Sequence, residues 1–435
     1  MSKTRMFMGP SELTRVAPAR TSINQLAFHG YWWEDPARLM MFFIFPLYAL
    51  ISISLLGNQK AIDRVFFDGF YAFAGALFLI IIMVVSSFAR RTPGKTSRVP
   101  STVSPLVLDL IFVLSCIGYL TMMGGLLAKP ALLMAFFDGS DSAFDLLEVK
   151  GRVPGISTLT QAAIAYVPLY FYIFQQRKRG LSRHKLYFAI LFALTALRSF
   201  IFAERLALIE LALPLALMWV KFRRPNRPSK ILMLGPYLCV MPLIAFFIAN
   251  EYQRSWAIYY VNLYDNIFDF ALERLGLYYS TAINNGAALL SIFGWGTGSP
   301  EYTFDWLIRF PLIGDYFRPL FGLDASYNMM LARYADPEFN NPSGIFVHFY
   351  EWGWSALFLA AFIGWLFRKS YYGWRAANGF WCCAHPVLLI SLFEILRLPN
   401  LFSGRNFVPI ALLFIVFSLC RTKSARPLNA NPRPY

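Results

Sequence analysis

The sequence predicts an all-α integral membrane protein with about ten transmembrane helices. Ten apolar runs, most of them near the roughly 20 residues that a helix needs to cross a bilayer, follow one another along the 435 residues. Basic residues are concentrated in every second connection between the runs, as in a chain with a fixed orientation in the membrane. The composition, 57% hydrophobic and 18% aromatic, is typical of a lipid-embedded protein.

The apolar runs divide the chain into five regions. The runs are 39–57, 65–88, 105–127, 157–175, 186–203, 206–220, 231–249, 344–367, 380–396 and 405–420. The regions are an N-terminal segment 1–38, helices 1–7 in 39–249 with an outer loop 128–156, a large outer segment 250–343, helices 8–10 in 344–420, and a tail 421–435.

The distribution of charge predicts the orientation. Segments 1–38, 89–104, 176–185, 221–230, 368–379 and 421–435 together hold 26 of the 40 Lys and Arg residues. They hold only three acids, Glu12, Glu34 and Asp35. Under the positive-inside rule these segments, including both ends of the chain, are cytoplasmic. The net charge of +16 therefore reflects topology, and we expect no nucleic-acid partner.

The large outer segment is too rich in Trp, Tyr, Phe and Leu to be a flexible linker. Apolar positions from Trp256 to Leu277 recur every three or four residues, which predicts an amphipathic helix near the interface. Asp265, Asp269 and Glu273 fall on another face, which we interpret as solvated, with contact to a saccharide or a cation as the alternative.

A glycine-rich stretch, Gly294-Trp-Gly-Thr-Gly298, follows this helix. It lacks the Gly-Lys-Ser/Thr ending and the flanking strand of a nucleotide-phosphate loop, so we do not interpret it as one. No cytoplasmic segment exceeds about 40 residues, which is too short for a nucleotide-sugar domain. Any glycosyl donor would therefore be carried by a lipid.

The first candidate site residues lie between Leu186 and Val220. These 35 residues must cross the membrane twice with about 52 Å of helix, against roughly 60 Å for two full crossings, so the turn is drawn toward the bilayer. The ionisable residues in and near that turn are Arg198, Glu204, Arg205 and Glu210. Charges at such depth are costly and mark functional sites, although an arginine near a helix end can also reach the headgroups.

Arginine dominates the other outer positions. The further outer arginines are Arg254, Arg274, Arg309, Arg318, Arg333, Arg397 and Arg405. Guanidinium binds phosphate in a bidentate manner and stays charged when partly buried, so an arginine-rich outer cavity suits a pyrophosphate headgroup. Anchoring to lipid headgroups could explain any one of these residues and explains the group less well.

His348 and Glu351 are the remaining candidates. Three residues apart, they share one helix face at the outer end of the eighth span, and either could take a proton from a hydroxyl. The alternative is that His348 only forms hydrogen bonds within an aromatic cluster. Four histidines in the whole chain make a histidine-rich outer zinc site implausible, and we expect no metal ion or other cofactor.

Several of these motifs resemble the O-antigen polymerase, or oligosaccharide repeat unit polymerase, family, over roughly residues 186–367. The motifs are Leu197-Arg-Ser, Ala203-Glu-Arg-Leu-Ala-Leu-Ile-Glu210, Glu251-Tyr-Gln-Arg-Ser-Trp256, Tyr278-Tyr-Ser-Thr-Ala-Ile-Asn-Asn-Gly286, the Asn-Pro-Ser-Gly of 341–344 and Tyr350-Glu-Trp-Gly-Trp-Ser. Where the family is expected to have Asp-Phe-Gly, this chain has Glu351-Trp-Gly353.

The resemblance implies a multispanning, GT-C-like glycosyltransferase of the bacterial inner membrane. Such an enzyme joins undecaprenyl-pyrophosphate-linked repeat units at the periplasmic face, with a chain-length regulator protein as a further partner. As a hypothesis for this chain, Arg205, Arg198 and Arg254 hold the departing pyrophosphate, and Glu210, Glu251 or His348 orients the nucleophile. Further substrate contacts are assigned to Arg274, Arg318, Glu204 and Glu351.

Two other functions remain open from the sequence. An O-antigen ligase shares the architecture and the lipid-linked donor but transfers finished glycan to a lipid A core. A flippase would move the lipid-linked saccharide without making a bond. The charged residues at the outer ends of the helices and the absence of internal repeats favour the enzymes over a transporter.

Overall fold

The computed structural model describes residues 30–57, 62, 64–88, 103–138, 146, 150–151, 153, 155–177, 182–202, 204–223, 229–252, 256, 260–310, 313–321, 326–335, 338–377 and 379–420. Within them every regular element is helical and no strand occurs. The all-α class is thereby confirmed. The tail 421–435 and residues 1–29 of the N-terminal segment lie outside the described part of the chain.

A helix occupies each of the ten apolar runs. The longer helices, in chain order, are α1 Pro36–Leu56, α2 Gly69–Ser87, α3 Leu106–Leu127, α4 Pro130–Phe137, α5 Ala162–Arg177, α6 Ser182–Ile201, α7 Arg205–Phe222, α8 Gly235–Glu251, α9 Ile267–Phe293, α10 Asp305–Ile308, α11 Gly314–Phe321, α12 Ser326–Tyr334, α13 Phe346–Trp352, α14 Ala356–Arg375, α15 Gly379–Glu394 and α16 Gly404–Leu419. Short 3₁₀ turns include Ser157–Gln161, Gly353–Ser355 and Asn400–Phe402.

Five helices in the described residues are long and apolar enough to cross a membrane: α1, α2, α3, α6, and α13 together with α14. The other five apolar runs form α5, α7, α8, α15 and α16, and each of these contains an internal proline. Proline removes one backbone donor from a helix, which a membrane helix tolerates where its neighbours satisfy the freed groups. The chain is therefore a membrane protein in which proline-containing helices accompany the long apolar ones.

Two of the proline-containing helices form the centre of the packing. Positions 161–170, at the start of α5, and positions 382–392 of α15 are buried without exception. These helices contact each other, and α5 also packs against α3, α7 and α16. A helix that is apolar all round is stable only when neighbours surround it, and here the long helices α2, α3 and α14 supply much of the outer layer.

The long helix of the outer segment begins later than the sequence periodicity predicts. It starts at Ile267 instead of Trp256, because the Asn266 side chain accepts a hydrogen bond from the backbone N–H of Asp269 (2.9 Å) and caps the helix there. Asp265, Asp269 and Glu273 are exposed, so the acidic stripe lies on an accessible face of this segment.

Helix α13 ends where Gly353 adopts a left-handed backbone conformation (φ +55°). The glycine-rich stretch 294–298 lies against this end. Its backbone N–H groups at Gly296, Thr297 and Gly298 donate to the carbonyls of residues 349, 350 and 351 at 3.2, 2.8 and 2.9 Å. The glycines therefore satisfy the last carbonyls of a broken helix, and the stretch is not a phosphate loop.

Two asparagines of the motif 278–286 in α9, Asn284 and Asn285, form hydrogen bonds with distant segments of the chain. The Asn284 side chain accepts hydrogen bonds from the backbone N–H groups of Phe66 and Phe67 (2.7 and 3.2 Å) and donates one to the Arg64 carbonyl (2.9 Å). Asn285 donates to the Phe339 carbonyl at 2.7 Å. These two amides therefore hold the outer segment against the connection between α1 and α2.

Candidate functional site

A cleft of about 940 Å³ opens at the end of the helices that the charge distribution predicts to face outward. Its walls come from the 3₁₀ turn Ser157–Gln161, from α10, α12 and α16, and from the connection that precedes α16. Four cationic side chains line it: Lys150, Arg198, Arg309 and Arg405. Arg198, predicted from the fifth–sixth turn, therefore lies at this cleft.

Three of these cations surround the carboxylate of Glu204. Arg198 donates from Nε to Glu204 Oε2 at 2.8 Å and from a second guanidinium nitrogen to the same oxygen. Lys150 donates to Oε1, and Arg405 lies 3.8 Å from Oε2. Thr160 accepts a further bond from Arg198 at 3.0 Å. We call Lys150, Arg198, Glu204 and Arg405 the cation cluster.

The local sequence explains why these charges meet. Arg198 lies in the last turn of α6, where the helix dipole favours a cation, and Glu204 lies immediately before the first residue of α7, where it favours an anion. Because only residues 202–204 separate the two helices, the arginine and the glutamate are brought to the same point. Arg405 arrives from the first turn of α16.

The electrostatics of the cluster favour anions. Burial by itself would raise the pKa of Glu204, but Arg198, Lys150 and Arg405 together lower it to about 2. Burial lowers the pKa of Lys150, and the neighbouring arginines lower it further, against the opposing effect of Glu204. Three cations share one carboxylate here, and within the described residues no hydrogen bond engages the guanidinium of Arg405.

Glu210 lies behind the cluster. It is buried, and its Oε2 is 3.7 Å from an Arg405 nitrogen, which is too long for a hydrogen bond. Together with Arg198, Thr160 and Tyr119 it lines a second, much smaller cavity of about 10 Å³. The structure thus brings three predicted residues together, namely Arg198, Glu204 and Glu210.

Arg205 belongs to a different group. Its guanidinium points away from the cleft, stacks over Phe247 at 4.1 Å and contacts Glu251 Oε1 at 2.8 Å. The other oxygen of Glu251 lies 2.9 Å from Arg274 Nε, and Arg274 also pairs with Glu338. We call Arg205, Glu251, Arg274 and Glu338 the buried charge network.

This network corrects the hypothesis that Arg205 and Arg198 grip one ligand together. Although Arg205 follows Glu204 directly in sequence, the first turn of α7 directs the two side chains to different partners. Glu251 is fully buried and engaged by two arginines, so it is not positioned to orient a nucleophile in the cleft. Arg274 is likewise buried between two carboxylates.

His348 and Glu351 share a helix face as predicted, with His348 Nδ1 3.6 Å from Glu351 Oε2, but both are buried outside the large cleft. The rings of Phe78 and Phe402 cover the imidazole. Glu351 accepts hydrogen bonds from the backbone N–H groups of Tyr302 and Thr303 (3.1 Å for Thr303) and from the Thr303 hydroxyl. We therefore reassign Glu351 from substrate binding to holding the segment that enters α10.

Arg318 does not line the cleft. Arg318 is exposed on α11, pairs with Asp315 at 2.8 Å and donates to the Ile308 carbonyl at 3.3 Å. Arg254 lies outside the described residues.

Sequence reasoning left several cleft residues unassigned. Arg309 and Arg405 were counted among the outer arginines without an individual role. Arg405 could have been identified as different, because it lies at the start of a helix and not at its end. The position of Lys150, Asp305 and Trp306 at the cleft could not be predicted, because they lie in segments without a periodic pattern of apolar residues.

The cleft changes character along α16. Below Arg405 its wall consists of Val408, Ala411, Leu412 and Ile415, which lie three or four residues apart on one face of the helix. Ile415, at the far end, is exposed. The cleft thus has a cationic end beside Glu204 and an apolar wall that continues down a helix surface.

Within the described residues, no group of three or more metal-ligating side chains is found, and the five cysteines are free thiols. The sequence matches no family model, and neither a curated protein nor a solved structure matches the chain.

Proposed function

We propose that this chain is a membrane glycosyltransferase that joins undecaprenyl-pyrophosphate-linked oligosaccharide repeat units into a polymer, as in O-antigen, capsule or exopolysaccharide synthesis. In this proposal the protein is a GT-C-like enzyme of the bacterial inner membrane that spans it ten times. Both ends lie in the cytoplasm, and the cleft faces the periplasm.

The observation that carries the proposal is the two-part character of the cleft. A polyprenyl pyrophosphate joins two to three negative charges to a long apolar chain. Lys150, Arg198 and Arg405 offer charge to the first part, and the stripe from Val408 to Ile415 offers an apolar surface about 10 Å long to the second. A free sugar or a nucleotide would need only one of these surfaces.

The chemistry follows from the cation cluster. A hydroxyl of the acceptor unit attacks the anomeric carbon of the donor, the bond between that carbon and the phosphate oxygen breaks, and undecaprenyl pyrophosphate leaves with the electron pair. Arginines that are already in place stabilise the charge that develops on the leaving oxygen at no cost of reorganisation. The depressed pKa of Glu204 supports this role, because the same cations that keep its carboxylate ionised would stabilise a phosphate oxygen.

The direct test uses the purified protein in lipid nanodiscs with a synthetic undecaprenyl-pyrophosphate oligosaccharide. The proposal expects a ladder of products that differ by one repeat unit, together with release of undecaprenyl pyrophosphate, and the same ladder in the presence of a metal chelator. The Arg405→Gln protein should give a much weaker ladder, and the Arg318→Gln protein, altered outside the cleft, should give the wild-type ladder.

The same assay separates the competing functions. A single product on an added lipid A core acceptor, with no ladder, would identify a ligase. Transfer of labelled lipid-linked saccharide across a vesicle membrane, with no new glycosidic bond, would identify a flippase. Either result would overturn the proposed polymerase.

A further inference from the structure

Asp305 lies beside the cation cluster. It is the first residue of α10, it lines the large cleft, and its carboxylate lies close to the backbone N–H of Gly404. The next residue after Gly404 is Arg405. A carboxylate is therefore placed at the N-terminal end of α16, next to the cations that would hold a diphosphate.

The wall around Asp305 carries the groups that bind sugars. Amide, hydroxyl and indole side chains dominate this part of the cleft: Tyr302, Trp306, Asn328, Asn340, Asn341 and Asn400. Amides pair with sugar hydroxyls as both donors and acceptors, and aromatic rings cover the apolar faces of pyranoses. Trp306 is held in place by stacking on Phe407, with 4.2 Å between the ring centroids.

The side-chain amide of Asn400 indicates a position for a bound ligand. Asn400 is buried, its Oδ1 lies 3.0 Å from the hydroxyl of Ser403, and its Nδ2 has no hydrogen-bond partner among the described residues. A buried N–H without a partner costs about 1–3 kcal/mol, so such a donor is expected to meet an acceptor from a bound molecule or from water. Asn400 and Trp306 line the same cleft as Asp305, and we call these two residues the Asn400–Trp306 subsite.

Two acidic residues, Glu301 and Asp305, line the cleft. Four other acidic groups of the region are poorly suited to accept a proton from a sugar hydroxyl. Glu204 is held ionised by three cations, and its pKa of about 2 makes it a weak base. Glu251 is engaged by Arg205 and Arg274 outside the cleft, and Glu351 is engaged by the 302–303 backbone. Glu210 lies behind Arg405 in the smaller cavity.

Asp305 has the opposite environment. Burial raises its pKa above the ordinary range of an aspartate, against the lowering effects of Arg309 and of the Gly404 N–H. A carboxylate with raised proton affinity is a better general base near neutral pH. Arg309, the residue four positions later on α10, pairs with the carboxylate and limits its rotation.

We propose that Asp305 is the general base of the transfer reaction and acts on the acceptor hydroxyl bound at the Asn400–Trp306 subsite. This inference rests on the proposed function. The hydroxyl proton moves to the Asp305 carboxylate as the acceptor oxygen bonds to the anomeric carbon. The bond from that carbon to the pyrophosphate oxygen breaks, and the pyrophosphate departs toward Arg198 and Arg405. The carboxylic acid then returns the proton to water.

Residues away from the cleft set the position of this base. Glu351 holds the backbone of Tyr302 and Thr303, which lies two to three residues before Asp305. The Trp352 indole donates to the Thr303 hydroxyl at 3.0 Å and supports the same segment. Glu351 is therefore a positioning residue in this scheme.

The test compares Asp305→Asn, Asp305→Glu and the wild type in nanodiscs, with Asp315→Asn as the matched control, because Asp315 is exposed and lies outside the cleft. Two quantities are measured: the rate of ladder formation from pH 5 to 9, and the affinity for undecaprenyl pyrophosphate alone. We expect Asp305→Asn to lose about 100-fold or more in rate while the affinity changes less than about threefold, since a general base contributes 10²–10⁴. Asp305→Glu should retain part of the rate with a displaced pH profile, and Asp315→Asn should match the wild type.

Each outcome distinguishes the two proposals. A wild-type ladder with Asp305→Asn within about tenfold of its rate would overturn the role of Asp305 and leave the polymerase intact. Loss of undecaprenyl pyrophosphate affinity in Asp305→Asn would make Asp305 a structural residue and overturn the role equally. Absence of any ladder from the wild type would remove the polymerase and the general base together.

Discussion

Arg205 and Glu251 form an ion pair, with 2.8 Å between Arg205 Nη2 and Glu251 Oε1, that joins the start of α7 to the end of α8. Glu251 is completely buried and is shared with Arg274 of α9. The pair thus connects two helices of the lipid-embedded body to the large outer segment. The residues of this pair therefore stabilise the fold, and they affect the cleft only through that stability.

Replacing Glu251 by Gln should strongly destabilise the protein. Two buried guanidinium groups would lose their shared carboxylate, and removing one partner of a buried ion pair costs about 3–5 kcal/mol. Thermal unfolding in detergent, followed by intrinsic fluorescence, should show a lowered Tm. Glu273→Gln on the exposed face of α9 is the control, and an equal Tm for both variants would contradict the prediction.

Arg205→Lys should also act through stability. Lysine keeps the charge but loses the planar group that lies over Phe247 and Tyr278, at 4.1 and 5.0 Å from the ring centroids. We expect a lowered Tm with an affinity for undecaprenyl pyrophosphate close to that of the wild type, once the protein is assayed well below its Tm. A selective loss of that affinity at unchanged Tm would return Arg205 to the ligand site.

Arg405→Gln should weaken the binding of undecaprenyl pyrophosphate directly. Hydrogen bonds to charged groups are worth about 1.5–3 kcal/mol, which corresponds to roughly 10–150-fold in Kd. Titration of the nanodisc-embedded protein with undecaprenyl pyrophosphate measures this change. Arg318→Gln removes the same charge from the exposed pair with Asp315 and should leave the Kd unchanged.

Acid should destabilise the cation cluster through Glu204. Its pKa is about 2 in the folded protein, against about 4.3 for an unperturbed glutamate, so its ionised form stabilises the fold. This contribution is complete above about pH 4.3 and is lost as the pH falls toward 2. The difference in Tm between the wild type and Glu204→Gln should therefore be constant from pH 5 to 7 and shrink below about pH 4.3; a difference that grew in acid would refute the assignment.

Gly353→Ala should disturb the end of α13 and the entry to α10. Alanine at the φ of +55° and ψ of −140° that Gly353 adopts costs about 1–3 kcal/mol, and the strain falls where Gly296 packs against Gly353. We expect a lowered Tm and a reduced rate of ladder formation. Gly276→Ala is the informative control, because its Cβ would enter open space inside α9 and alanine should stabilise that helix by about 0.5–1 kcal/mol.

The positions of the helices were predictable from the sequence, because the thickness of the bilayer sets both the length of an apolar run and the length of a spanning helix. All ten runs contain helices, and the turn between α6 and α7 is as short as its length required. The prediction of one continuous helix from Trp256 was wrong, because residues 261–266 form turns and irregular backbone before α9 begins at Ile267. The apolar spacing continues through 256–266, but the Asn266 side chain caps α9 so that the helix begins only after it. The periodicity of apolar residues alone does not predict such a cap.

The candidate site was predictable only in part. Arg198, Glu204 and Glu210 meet because α6 and α7 are neighbours in sequence, so their proximity is a local property. The partner of Arg205 lies 46 residues away in Glu251. Lys150 precedes Glu204 by 54 residues, and Arg405 follows it by 201 residues. Such contacts depend on how helices are arranged in space, which hydropathy does not encode.

The burial of α5 and α15 on every side bears on how the chain is assembled. Neither helix keeps a lipid-facing surface over positions 161–170 and 382–392, and α15 begins about 200 residues after α5 ends. Until α15 has been synthesised, α5 lacks one of the helices that pack against it. A chain truncated before residue 379 would therefore leave α5 incompletely packed and a target of the quality-control proteases of the cell.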